Sequence, residues 1–187
     1  MLLTILALAA AQPAAVVERR FNPRPAPRGE ALLRTALTQG HDRARDAARV
    51  ARLAWDDRLA ADALGYARVM ARTGRFEHAA QQAQGENLWM GTRGAYRYDE
   101  MVRAWSEEIR NVKAGRIPDV TRTGQFNDVG HFLQMIWPTT TRYGCGIASN
   151  RDNEYLVCRY AQPGNIVGWT VMPGRVTTIQ PPVRSRR

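Results

Sequence analysis

Residues 143–161 read YGCGIASN, then RDN, then EYLVCRYA. Apolar and polar residues alternate in both outer runs, and the turn-forming residues 151–153 separate them, a pattern typical of a β-hairpin. Cys145 and Cys158 fall in different strands of this predicted hairpin. In an exported protein this arrangement favours a disulfide across neighbouring strands, and two buried free thiols are the alternative.

The chain before this hairpin carries helical patterns. Apolar residues at helical spacing predict a first helix over residues 30–45, although Gly40 weakens its middle. A second helix, the clearest in the chain, is predicted to begin after Asp56 or Asp57 as its N-cap and to stop at Gly74.

Two further stretches favour helix. Asp99 can cap a third helix that runs through Val112 with its apolar residues in one stripe. Residues 129–137 indicate a short helix, whereas GENLWMG at 85–91 is a short segment between glycines. Helical patterns in the first part of the chain and a hairpin near its end predict an α+β fold, in which helices pack on a small, mainly antiparallel sheet.

Length and composition indicate one globular domain with tails. The 187 residues are 44% hydrophobic, which is enough for one sizeable core. Residues 1–11 are predicted to be a signal peptide, with cleavage as late as Ala15; an uncleaved N-terminal helix is the alternative. The remaining segments are expected to be a Pro- and Arg-rich linker at 12–28, the domain at 29–172, and a basic, irregular tail at 173–187. No membrane span is expected after cleavage.

The formal charge of +10 comes almost entirely from arginine, with Lys113 as the sole lysine. Basic tails of this kind attract anionic surfaces, such as acidic cell-envelope polymer or lipid, without sequence specificity. No stripe interleaves aromatic with basic residues, so no specific nucleic-acid partner is expected. The arginines near the two ends are Arg19, Arg20, Arg24, Arg28, Arg184, Arg186 and Arg187.

Four polar residues in motif-like contexts are candidates for chemistry. His78 lies in RFEH, Glu86 in GENLW, Glu108 in WSEEI, and His131 in GHFLQMIW. Two imidazoles and two carboxylates could form a general acid–base set or a zinc site with two histidines and a carboxylate. Their spacing matches no short metal or catalytic signature, so the residues alone leave open ordinary, hydrogen-bonded histidines.

Taken in order, the short motifs resemble the CAP family of cysteine-rich secretory proteins, insect venom antigens and plant pathogenesis-related proteins. The resemblance runs from about Leu33 to Gly168. Any one motif is weak evidence for the family, whereas eight motifs in this order are specific evidence for it. They are HDRAR at 41–45, LAWDDRLAADALGYA at 53–67, the isolated His78, GENLW, Trp105 three residues before Glu108, GHFLQMIW with Thr140, YGCG, and YLVCRYAQPGN.

The resemblance implies a three-layer α-β-α sandwich of the compact bacterial type, a secreted or periplasmic location, and a shallow cleft. Glu108 is preferred to Glu107 because the family's acid stands three residues after the tryptophan. His41 resembles a first-helix histidine outside the cleft. Leu133 and Gln162 depart from the family pattern, which affects the expected loop geometry. The cleft positions carried over are His78, Glu86, Glu108 and His131.

A binding site is the first hypothesis for this cleft. His78 and His131 would hold a divalent metal such as Zn²⁺, while Glu86 and Glu108 would act through water or orient the rings. Metal-assisted hydrolysis of a peptide or ester by the same residues is the alternative. The family resemblance adds a lipid or sterol as a ligand.

Other polar and aromatic residues near these motifs are expected to be structural. Asn87 and Gln134 are interpreted as hydrogen-bonding supports for the segments that carry Glu86 and His131. No organic cofactor is expected, and the protein is expected to be a monomer. The tryptophans predicted to pack in the core are Trp55, Trp89, Trp105 and Trp137.

Overall fold

A computed structural model describes residues 16–80, 83–172 and 174–177. The predicted signal peptide at 1–11, or 1–15, lies outside the described residues. The helices of the described residues are α1 (Glu30–Ala48), α2 (Asp57–Thr73), α3 (Tyr98–Ser106) and α4 (Gly130–Met135). The strands are β1 (Val16–Glu18), β2 (Ala54–Trp55), β3 (Gly85–Thr92), β4 (Gly115–Arg116), β5 (Arg142–Ser149), β6 (Asn153–Ala161), β7 (Thr170–Met172) and β8 (Arg175–Thr177).

Five strands form one sheet in the order β1-β3-β6-β5-β2. Strand β6 pairs antiparallel with both β3 and β5, whereas β1 and β2 add in parallel at the two edges. Strands β4, β7 and β8 form a small antiparallel sheet. The expectation of a mainly antiparallel sheet in an α+β fold is therefore confirmed.

Helices cover both faces of the five-stranded sheet. On one face α2 lies directly against β5, since a Cβ at Gly144 or Gly146 would overlap the α2 backbone at Ala60 or Leu64. On the other face the Tyr143 hydroxyl lies 2.9 Å from the Thr38 hydroxyl of α1. Alternate residues of β5 thus face opposite helical layers, which confirms the α-β-α sandwich.

The predicted hairpin and its disulfide are both present. Strands β5 and β6 pair from Arg142↔Ala161 to Ser149↔Glu154. Cys145 and Cys158 lie directly opposite each other, with Cα atoms 4.1 Å apart, and are joined by a disulfide.

The second helix follows its sequence signals closely. The Asp56 carboxylate accepts hydrogen bonds from the amides of Arg58 and Leu59, so Asp56 and not Asp57 is the N-cap. Gly74 ends the helix with φ of 73°, a left-handed conformation that glycine adopts without strain.

The third helix is shorter than predicted. It ends at Ser106 and continues as a 3-10 helix over Glu107–Asn111. Contacts of Glu108 with α4 hold this tighter turn in place. The first helix passes through Gly40, where a Cβ would lie 2.6 Å from methyl carbons of Val102 in α3. Gly40 therefore permits close packing of α1 on α3, which offsets its low helix propensity.

Residues at both ends of the predicted domain are more ordered than their composition indicates. Val16–Glu18 of the predicted linker form β1, which pairs with β3. The guanidinium of Arg20 donates to the Ala95 carbonyl, and that of Arg28 pairs with Glu154. The tail predicted to be irregular from residue 173 forms β8 over Arg175–Thr177, because it pairs with β7; residues 178–187 lie outside the described part.

Three of the four predicted core tryptophans, Trp89, Trp105 and Trp137, are fully buried, whereas Trp55 is only partly buried. Arg45 is also buried, and its guanidinium donates to the carbonyls of Met135 and Trp137. Within the described residues, none of the helices combines the length and the apolar character that a membrane-spanning helix requires.

Candidate functional site: two histidine–glutamate pairs

The first pair joins the segment after α2 to the start of β3. Nδ1 of His78 lies 2.5 Å from Oε1 of Glu86, and the same oxygen accepts the Ala79 amide at 3.2 Å. The Glu86 side chain is fully buried, whereas that of His78 is 13% exposed. The imidazole is thus oriented by a carboxylate that water does not reach.

Arg159 holds the other side of Glu86. Its Nη1 lies 2.9 Å from Oε2 of Glu86, and both side chains are nearly or fully buried. The two residues are register partners in β3 and β6, so they share one face of the sheet. On that face the guanidinium also stacks over the ring of Tyr66 in α2, 5.2 Å from its centroid. A buried cation therefore neutralises the buried carboxylate.

The second pair lies between the 3-10 helix and α4. Nδ1 of His131 is 2.6 Å from Oε1 of Glu108, and Oε2 of Glu108 accepts the Phe132 amide at 3.0 Å. The His131 ring stacks on Trp105, with ring centroids 6.1 Å apart. The adjacent residue Glu107 instead pairs with Arg103 and Arg110, which agrees with the choice of Glu108 from the sequence.

Asn87 connects the two pairs through the chain and through a hydrogen bond. It follows Glu86 in β3, so its side chain points to the opposite face of the sheet. There its Nδ2 donates to the His131 carbonyl and to the Tyr160 hydroxyl, both at 3.1 Å. Asn87 therefore ties the start of β3, which carries Glu86, to the backbone of α4, which carries His131.

A buried hydrogen-bond chain continues from Asn87 to the first helix. His41 is fully buried, with Nδ1 2.8 Å from the Leu37 carbonyl and Nε2 2.8 Å from the Tyr160 hydroxyl. Because the carbonyl can only accept, Nδ1 carries the proton, and Nε2 accepts from Tyr160. Burial lowers the pKa of His41 to about 4, so the neutral ring is the native form near neutral pH. His41 thus lies outside both pairs and supports the second one.

The Gln134 side chain anchors α4, the helix that carries His131. Its Oε1 accepts the Gly164 amide at 2.8 Å, and its Nε2 donates to the Thr140 hydroxyl at 3.3 Å. Asn165, next to Gly164, donates to the Gly130 carbonyl at the start of α4. Gln134 therefore fixes the loop after β6 against α4.

The donor set has a clear consequence for metal binding. Within residues 16–80, 83–172 and 174–177, no three His, Cys, Asp or Glu side chains converge closely enough to hold a metal ion. Each glutamate already accepts hydrogen bonds or an ion pair on both oxygens. In each pair the carboxylate contacts Nδ1 of the imidazole ring.

Comparison with known proteins identifies the family of this chain. A model of the cysteine-rich secretory protein family, CAP, matches residues 38–160. This protein belongs to the CAP family. CAP proteins are mostly secreted and extracellular.

Similar CAP proteins come from animals and plants. Pathogenesis-related protein 1C of Nicotiana tabacum is 33% identical over 129 residues, covering 68% of this chain and 74% of that protein. Venom allergen 5 of Vespa velutina is 32% identical over 126 residues, covering 61% of this chain. The matched part spans 58% of the length of that allergen and of scoloptoxin SSD976 from Scolopendra dehaani.

Solved structures share the CAP fold. The crystal structure of NaASP2 with Zn²⁺ aligns with a TM-score of 0.63 at 21% identity, covering 78% of this chain and 87% of that one. Schistosoma mansoni venom allergen-like protein 4 aligns with a TM-score of 0.57 at 21% identity, covering 76% of this chain and 94% of that one.

The sequence reasoning missed two residues that hold the pairs of this CAP domain. Arg159 and Tyr160 follow each other in β6 and point to opposite faces, one to Glu86 and the other to Asn87. The signal was present in the alternation of EYLVCRYA. It becomes informative only once the register of β6 on β3 is known.

Proposed function

We propose that this CAP domain is an exported binding protein whose two histidines hold a divalent cation, with Zn²⁺ as the preferred ion. The observation that carries the proposal is the matched orientation of the rings: each Nδ1 contacts a glutamate. A carboxylate on the second ring nitrogen is the usual support of a metal-binding histidine, because it fixes the tautomer and strengthens the ligand. The solved CAP structure with Zn²⁺ is consistent with this proposal.

The chemistry of the candidate ligands fits such an ion, because both are imidazoles. Imidazole nitrogen suits Zn²⁺, and His78 and His131 would each offer Nε2. Glu86 and Glu108 would orient the rings without binding the ion, since both oxygens of each are already engaged. When bound, such an ion supplies a Lewis acid with positions left for water or ligand.

Isothermal titration of the metal-free protein with Zn²⁺ tests the proposal. We expect one ion per chain, and we expect the binding heat to disappear when both His78→Ala and His131→Ala are present. Glu107→Gln is the matched control, because Glu107 lies beside Glu108 on the same 3-10 helix but contacts neither histidine. Unchanged zinc affinity in the double variant would show that the histidines are not the ligands.

Hydrolysis through the same residues is the less favoured function. A general base needs a carboxylate or imidazole that can accept a proton from water. Both glutamates already accept strong hydrogen bonds from imidazole and backbone groups. Turnover of a peptide and ester panel that depends on Glu108 would favour hydrolysis over simple binding.

A groove between α1 and α3, lined by apolar and charged residues, is a second candidate site, with a fatty acid as its proposed ligand. The groove has a volume of about 460 Å³, and Ala44, Ala47, Val102 and Phe132 are among its lining residues. Arg43 also lines it and makes no ion pair with another described residue, so its guanidinium is placed to attract a carboxylate.

Fluorescence titration with cis-parinaric acid tests this groove separately from the metal site. The exposed Ala47 offers a filling substitution, Ala47→Trp, with Ala47→Ser as its control. We expect the tryptophan to abolish binding and the serine to leave it unchanged. Equal binding by both variants would exclude this groove. Association with acidic cell-envelope material through the basic termini belongs to the same proposal of an exported binding protein.

A further inference from the structure

A second groove lies along one edge of the five-stranded sheet, between α1 and α2. Its volume is about 500 Å³. Leu33 of α1 forms part of one wall, and Ala60 and Leu64 of α2 form part of the other. Its floor is the β5 segment of Cys145, Gly146 and Ile147. This groove shares none of the four residues of the histidine–glutamate pairs.

The floor is an incomplete sheet edge. Strand β2 covers only the first part of β5, with the pairs Ala54↔Arg142 and Trp55↔Tyr143. The chain then leaves the edge, because Asp56 caps α2. Beyond Tyr143, β5 has β6 on one side and no described strand on the other.

The direction of the exposed backbone groups follows from the existing hydrogen bonds. The carbonyls of Thr141 and Tyr143 accept the amides of Ala54 and Asp56, so odd-numbered residues of β5 direct their N–H and C=O groups away from β6. Cys145 and Ile147 continue this alternation. No hydrogen bond joins their outward backbone groups to any other residue of the described ranges.

These groups are only partly accessible to water. Cys145 is 3% exposed, and Ile147 is partly buried. Buried backbone donors and acceptors are almost always paired, because an unpaired group loses its bonds to water without replacement. An added strand would satisfy them, whereas an acyl chain carries no polar groups to do so along its length.

The charge at the mouth of the groove differs from that of the chain as a whole. The chain has a net charge of +10, but Glu30 and Asp57 line this groove. Glu30 makes no ion pair with a described residue, and Asp57 pairs loosely with Arg34 at 3.6 Å. The mouth therefore favours a ligand with a basic side chain.

We propose that the open edge of β5 binds an extended, basic peptide segment of a partner protein as an additional strand. The peptide would donate to and accept from the backbones of Cys145 and Ile147, the mode of recognition known as β-augmentation. Its alternate side chains would point towards Leu33 and towards Leu64, so small apolar residues fit those positions. A basic residue would lie near Glu30.

Selection from a phage library of random nonapeptides tests the proposal on the oxidised, full-length protein. We expect enriched sequences to be rich in β-branched and basic residues, with no proline in the paired stretch. The synthetic form of an enriched peptide should slow hydrogen exchange at the Ile147 amide, because that amide would become a donor to the peptide.

Ile147→Pro is the decisive variant. Proline removes the outward N–H of residue 147 but no hydrogen bond to β6, so the hairpin can still form. We expect peptide affinity to fall about tenfold or more through loss of a backbone hydrogen bond. Ile147→Ala is the matched control, since it loses the side chain but keeps the N–H, and it should bind more tightly than the proline variant.

Ala61→Trp provides a second variant that leaves β5 unchanged. Ala61 is exposed and lines the groove, so tryptophan should block the peptide without disturbing the core. The proposal would be overturned if the library yielded no enriched peptide. It would also be overturned if the proline and alanine variants bound the peptide equally, or if Ala61→Trp left the peptide affinity unchanged. It would also be overturned if only cis-parinaric acid bound here, since the groove would then be a lipid site.

Discussion

The two histidine–glutamate pairs have similar contacts but different supports. Glu86 is a fully buried carboxylate, held by the guanidinium of Arg159 from a neighbouring strand. Glu108 is 11% exposed and held by a backbone amide of α4. His131 is also supported through Asn87 and the buried chain to His41. The carboxylate of the first pair is thus held by a charged group, and that of the second by a neutral backbone amide.

Arg159→Met should cause the largest loss of stability, because it removes the positive charge that compensates the buried Glu86 carboxylate. Glu86 would remain buried with one oxygen uncompensated, and loss of one partner from a buried pair costs about 4 kcal/mol. Urea unfolding would measure the change. Arg103→Met removes a half-exposed partner of Glu107 and should change stability by less than about 0.5 kcal/mol. Similar losses of unfolding free energy in the two variants would contradict the conclusion that the His78–Glu86 pair depends on the charge of Arg159.

Acidification should affect the support of the second pair. The pKa of His41 is lowered to about 4, so the unfolded chain binds a proton at higher pH than the native one. The stability supplied by neutral His41 is therefore complete above about pH 6.5 and lost progressively as the pH falls to about 4, a change of about 3 kcal/mol.

The measurement compares unfolding free energies of the wild type and His41→Gln across this pH range. Glutamine can donate to the Leu37 carbonyl and accept from Tyr160, but it does not titrate. We expect the difference between the two proteins to shrink or reverse towards pH 4. A constant difference would show that His41 does not contribute to acid sensitivity.

Asn87→Leu should give an intermediate effect on the second pair. It leaves the His131 carbonyl without this donor and removes the bond to Tyr160, at a cost of about 2 kcal/mol. NMR signals of the His131 ring should change, whereas those of His78 should change much less. Equal changes at both rings would mean that Asn87 couples the pairs more tightly than its contacts indicate.

Glu108→Gln should cause the smallest loss of stability. The amide oxygen can still accept from Phe132 or His131, so we expect a loss of about 1 kcal/mol in chemical denaturation. Glu86→Gln should cost more, because the neutral side chain leaves Arg159 buried without its counter-charge. A larger loss for Glu108→Gln than for Glu86→Gln would reverse the proposed difference between the pairs.

Sequence patterns predicted the elements that local chemistry controls. Asp56 and Gly74 delimit α2, and the alternation around 151–153 predicts the hairpin. Strand β3 was missed because it is buried on both faces and lacks the alternation of a half-exposed strand. Strands β1 and β8 were missed because such short segments form only through pairing with neighbours.

The order of short motifs along the chain predicted the CAP family, the α-β-α sandwich and the choice of Glu108, while the hairpin pattern favoured the Cys145–Cys158 disulfide. Each depends on neighbouring residues or on motif order, which the sequence displays directly. The supports of the two pairs and the open edge of β5 became visible only in the folded chain. They depend on strand register and helix packing, which bring together residues such as His41 and Tyr160, 119 positions apart.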